Sequence, residues 1–124
     1  MVLLLMAQWV TTKYQEAVYK MGNLNQYEIG QPIRINFGED ISLAVPTLIL
    51  QPELGNTKEI TAGVTIPDTD VTVDGEVLLA NQYLQYFTKT DDLDYVGRWR
   101  NKAKLTFSST DVRQSDFVKF RVLA

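Results

Sequence analysis

Residues 95–107 read YVGRWRNKAKLTF. From Arg98 to Lys104 every second residue is basic, and Trp99, Asn101, Ala103 and Leu105 fill the alternate positions. Successive side chains leave a β-strand on opposite sides, so this period of two marks a strand with one buried and one wet face. Trp99, Ala103, Leu105 and Phe107 form the inward set, and Arg98, Arg100, Lys102 and Lys104 point out. The last run, FVKFRVLA, repeats the pattern, with Val118, Phe120 and Val122 inward and Lys119 and Arg121 outward. Across a hairpin these six basic residues share one sheet face, half of the chain's twelve Lys and Arg. Such a face is a solvated surface, a docking surface for an acidic neighbour (the acidic part of an identical subunit is one), or a nucleic-acid platform. The outward positions of the two strands show no interleaved aromatic for base stacking, and the sequence pI is about 4.8, which disfavours the third reading.

Upstream, period two persists from Asn23 onward. PIRINF (32–37) places Ile33, Ile35 and Phe37 on one face. TLILQP (47–52) reads as a short apolar strand bounded by Pro46 and Pro52. TKEITAGVTIPD (57–68) alternates through Ile60, Ala62, Val64 and Ile66, and QYLQYFT (82–88) is an aromatic-rich strand. Asp74-Gly75 sits between Val71/Val73 and Val77/Leu79, a strong two-residue hairpin signal. SSTDVRQSD (108–116) reads as a polar loop. Seven or eight short strands with turns about every ten residues predict an all-β, antiparallel sandwich or barrel over residues 23–124. Residues 3–21 differ: Leu3, Met6, Val10, Tyr14, Ala17, Val18 and Met21 recur at helical steps, and Gly22 follows as a stop. Residues 1–22 are therefore expected to be an N-terminal helix, with an extended assembly arm as the alternative.

The 124 residues suit one domain and, with 45% hydrophobic and 22% charged residues, an ordinary globular composition. No cysteine and no histidine occur, which removes thiolate chemistry, the usual general base and the commonest metal ligand. MVLLLMAQW lacks the basic start and cleavage site of a signal peptide, and no run approaches a membrane span, so a soluble protein made in the cytoplasm is expected. The net charge of −3 conceals a split. Residues 1–96 hold five basic and thirteen acidic residues, and residues 97–124 hold seven and two.

PDTDVTVDGE and DDLD cluster carboxylates, as calcium sites do, but neither spacing fits an EF-hand, and turn chemistry accounts for Asp68, Asp70 and Asp74-Gly75. No catalytic or cofactor-binding residue is assigned. Tyr83, Tyr86, Phe87 and Trp9 could stack on a ligand, which keeps a carbohydrate- or receptor-binding module as the alternative function.

In immunoglobulin-like domains the penultimate strand opens on an acidic turn, followed by Gly, an aromatic two residues on, a core residue, then a small one. Gly97, Trp99, Asn101 and Ala103 follow Asp91, Asp92 and Asp94 at that spacing. DDLDYVG leading into GRWRNKAKLTFSSTDVRQSDFVKFRV, together with GQPIRINFGEDISLA and TLIL, resembles small immunoglobulin-like virion proteins of tailed bacteriophages. It is similar to the amino-terminal domain of phage upper baseplate proteins over about residues 27–124. The resemblance implies an immunoglobulin-like β-sandwich and a non-enzymatic structural component of a virion, in tail, baseplate, fibre attachment or head decoration. It implies other virion proteins or further copies of the chain as partners, and no nucleic acid, membrane, cofactor or small-molecule substrate. The expected interface residues are Leu3, Leu4, Trp9, Val10, Tyr14 and Val18, plus Arg98, Arg100, Lys102, Lys104, Lys119 and Arg121.

Overall fold

A computed structural model describes residues 23–124 and, for Leu3–Met6, the backbone path. The described residues form eleven strands and no helix: β1 (Leu3–Met6), β2 (Leu24–Asn25), β3 (Pro32–Asn36), β4 (Val45–Pro52), β5 (Lys58–Ile60), β6 (Val71–Val73), β7 (Glu76–Leu78), β8 (Tyr83–Phe87), β9 (Gly97–Ser108), β10 (Asp111–Gln114) and β11 (Val118–Leu123). They make a small sheet in the order β1-β3-β8, a larger one in the order β2-β11-β9-β4-β5 with β10 also on β9, and the β6-β7 hairpin. All pairings are antiparallel except β1 with β3 and β2 with β11.

The alternation in residues 95–107 does what its period requires. Trp99, Ala103 and Leu105 are buried, Arg98 and Arg100 are exposed, and Lys102 and Lys104 are half-buried on the same outer face. β11 follows suit, with Val118, Phe120 and Val122 inward. These residues join Leu48 and Leu50 of β4 and Ile33, Ile35, Leu84 and Tyr86 of the small sheet in one hydrophobic cluster, so the core lies between the inner faces of the two sheets. Gly97 begins β9 with φ 128°, a backbone conformation that L side chains rarely adopt, and a Cβ there would meet no neighbour within 4 Å. Glycine stands there for its backbone freedom, not for space.

Several expectations are corrected. The helical period over residues 3–21 does not hold at its start, because Leu3–Met6 pairs in parallel with Ile33–Asn36 as an edge strand. Four apolar residues in a row serve a strand as well as a helix, and the open edge of β3 supplies the ladder bonds that decide between them. Residues 7–22, with the rest of the predicted segment, lie outside the described residues. Pro46 and Pro52 do not bound a strand but lie within β4, opposite Leu105 and Trp99 of β9. They are tolerated because β5 covers only Leu48–Leu50, so beside each proline one edge of β4 has no strand partner among the described residues.

The run 57–68 is not one strand. After β5 the chain turns at residues 61–64, where Val64 N–H donates to Thr61 O (3.3 Å), and Thr65 then exchanges backbone hydrogen bonds with Gln85 of β8 (3.0 and 2.9 Å). The Asp74-Gly75 hairpin forms, with φ of 50° and 83° at its two turn residues. Its register sets Val73 opposite Glu76 and Val71 opposite Leu78, so Leu78 is buried while Val77 and Leu79 are exposed.

Residues 111–114 are a strand rather than part of a loop. β9 is longer than either neighbour on that edge: β11 covers Gly97–Asn101 and β10 covers Lys104–Ser108. Ser115 fills the gap between them. Its N–H donates to Ala103 O, and its Oγ accepts from Ala103 N–H, both at 2.9 Å. A serine side chain thus replaces a strand partner where the ladder would otherwise orphan a buried amide.

Trp99 is 2% exposed, its indole N–H donates to Tyr95 O at 2.8 Å, and its ring lies 5.9 Å from that of Phe120. Trp99→Ala is expected to cost about 3–5 kcal/mol in urea unfolding. A loss below about 1 kcal/mol would contradict its place in the core.

Candidate docking surface

Register brings the six basic side chains together. Arg98 faces Arg121 and Arg100 faces Lys119 across β9 and β11, and Gln51, Ile49 and Thr47 of β4 stand opposite Arg100, Lys102 and Lys104. Arg98 approaches Glu53 at 3.9 Å and Lys104 approaches Glu59 at 3.9 Å, while Arg100 donates from Nε to Gln51 Oε1 at 2.6 Å. Among the described residues Arg100, Lys102, Lys119 and Arg121 have no carboxylate within ion-pair distance. The face holds a groove of about 620 Å³ lined by Arg98, Arg100, Lys119 and Arg121 together with Gln51, Pro52 and Glu53.

An aromatic ring does sit among the cations, contrary to expectation. Phe117 precedes β11 and shares the parity of Lys119 and Arg121; Arg100 and Lys102 lie 4.0 and 4.5 Å from its ring centroid. Carrying the FVKFRV alternation one residue back would have revealed it. The ring is covered by its two cations, which stack on its face.

At one end the groove runs into a second depression of about 360 Å³ lined by Leu54, Tyr95 and Val96. These three side chains are 77%, 46% and 52% exposed, an apolar cluster beside a charged field. Sequence pattern could not indicate it, since its members lie on two loops that only the β4–β9 pairing brings side by side.

The acidic turn is internally satisfied. Lys58 Nζ donates to the carbonyls of Asp91 (2.7 Å) and Asp92 (3.3 Å) and pairs with Asp94 Oδ1 at 2.9 Å, so a lysine stands where a cation would be drawn to DDLD. Asp92 Oδ2 accepts from Lys89 N–H (2.7 Å) and from the Tyr86 hydroxyl. Burial foremost, then the bond to Asp92 and its charge, hold the Tyr86 hydroxyl well above its ordinary pKa, which keeps it a donor. Among the described residues no three His, Cys, Asp or Glu side chains converge as metal ligands.

The aromatic set of β8 does not gather on a surface. Tyr83 and Tyr86 are both buried, Tyr86 in the main core and Tyr83 under the β6-β7 hairpin with its hydroxyl donating to Thr69 O, and only Phe87 is exposed. Of the N-terminal interface residues, Leu3 and Leu4 lie on β1, and Trp9, Val10, Tyr14 and Val18 lie outside the described residues. No described helix is long and apolar enough to cross a membrane.

No protein-family profile matches the sequence, and no curated protein sequence matches it.

Lys58 links β5 to the turn that precedes β9, so Lys58→Met removes three polar contacts from a partly exposed site. The expected loss is about 1–2 kcal/mol in chemical denaturation. A variant as stable as the parent would show that the turn holds itself.

Proposed function

We propose that the chain is a non-enzymatic assembly module, an immunoglobulin-like sandwich that serves as a structural component of a tailed-phage virion and docks through the basic face of its larger sheet. The observation that carries this reading is the pairing of that grooved face, where Arg100, Lys102, Lys119 and Arg121 have no carboxylate partner among the described residues, with exposed Leu54, Tyr95 and Val96 at its end. Apolar anchors beside a charged rim are the composition of protein–protein interfaces, where the anchors supply affinity and the charges fix orientation. Two sheets around one core agree with the immunoglobulin-like part of the proposal. The likeness of residues 27–124 to phage virion proteins supplies the setting.

Mass spectrometry of purified particles is expected to find the chain in multiple copies per virion. Its recovery from host lysate alone, with particles devoid of it, would overturn the assignment.

A further inference from the structure

The small sheet has its own outer face. Ile33, Ile35, Leu84 and Tyr86 point into the core, so Tyr83 and Gln85 point away from it, and the β6-β7 hairpin packs there through Val73, Leu78 and Tyr83. This hairpin and the segment leading to it expose Asp68, Asp70, Asp74 and Glu76 together with Val77 and Leu79, which are 54% and 48% exposed. None of the four carboxylates has a basic partner within ion-pair distance among the described residues. The basic groove lies on the outer face of the other sheet, with the whole core between.

Resting on the reading that the basic face docks protein, we infer that its occupant is the acidic β6-β7 hairpin of a second copy of this chain. The two surfaces complement each other twice. Carboxylates without an ion-pair partner among the described residues meet Arg100, Lys102, Lys119 and Arg121, which also have none there, and Val77 and Leu79 match the apolar end formed by Leu54, Tyr95 and Val96. Because the two surfaces lie on opposite outer faces, a molecule cannot satisfy its own groove. Nor do two molecules close on each other by exchanging one self-complementary patch. The contact is heterologous, head to tail, and repeats into a ring or an open stack. Charge pairing of this kind sets partner and register and weakens with salt.

The experiment uses the full chain in analytical ultracentrifugation. Lys119→Glu with Arg121→Glu disarms the groove; both side chains are exposed, and among the described residues neither makes an ion pair whose loss would unsettle the fold. Asp68→Lys with Glu76→Lys disarms the hairpin, leaving Asp74 in its turn and Asp70, which accepts from Ala80 N–H at 2.7 Å, as a local cap. The parent chain is expected to self-associate, more weakly as salt rises. Each double variant is expected to lose association by at least about tenfold in dissociation constant. Mixing the two variants is expected to restore a species containing both. A monomeric parent, unaffected variants, or variants that fail to complement would each overturn the inference. So would a monomeric parent that binds a duplex or single-stranded oligonucleotide through the same groove. If the parent is monomeric yet present in virions, head-to-tail docking fails while the virion assignment stands; an associating chain absent from particles gives the reverse.

Discussion

Strand β9 has neighbours on both edges, β4 along Trp99 to Thr106 and β11 then β10 along Gly97 to Asn101 and Lys104 to Ser108, and the rest of the molecule is arranged around that constraint. A strand in this position has its backbone groups committed, so its side chains alone carry information, and its pleat divides them between two uses. Trp99, Asn101, Ala103 and Leu105 meet the core, and Arg98, Arg100, Lys102 and Lys104 meet whatever lies outside. A one-residue slip would invert both faces at once, burying four cations and exposing a tryptophan. The physical cost of that inversion fixes the register of β4 and β11 as firmly as any individual contact does.

Holding so long a strand by shorter neighbours leaves places where the ladder falters, and each is met by a specific residue. Ser115 supplies both halves of a strand bond at Ala103. Pro46 and Pro52 occupy the stretches of β4 that β5 does not reach. Lys58 gathers the carbonyls and carboxylate of the acidic turn before β9 enters the sheet. These devices keep the larger sheet intact around a face that holds four cations with no carboxylate partner among the described residues, the feature on which the proposed docking role rests.

Where period two governs, the sequence was legible. The faces of β3, β9 and β11 follow from alternation, and Asp74-Gly75 marks its hairpin. Legibility ended where tertiary partners override local pattern. Leu3–Met6 suits a helix or a strand, and the free edge of β3 decides. Tyr83 and Tyr86 lie on opposite faces of β8, yet both are buried because the β6-β7 hairpin covers the second face, which no local period foretells. Of the candidate surface, the six cations could be read from the chain and Phe117 could have been, one step further along the same alternation. The apolar end at Leu54, Tyr95 and Val96 could not, because it is assembled from two loops distant in sequence.

The dependence of the fold on β9 is open to direct measurement by native-state amide hydrogen exchange. Trp99 through Leu105, including the Ala103 N–H held by the Ser115 side chain, are expected to exchange only through global unfolding and to form the slowest class in the protein. If the Ala103 amide and its neighbours exchange by local opening while β3 and β8 stay protected, β9 is not the element that holds the sheets together.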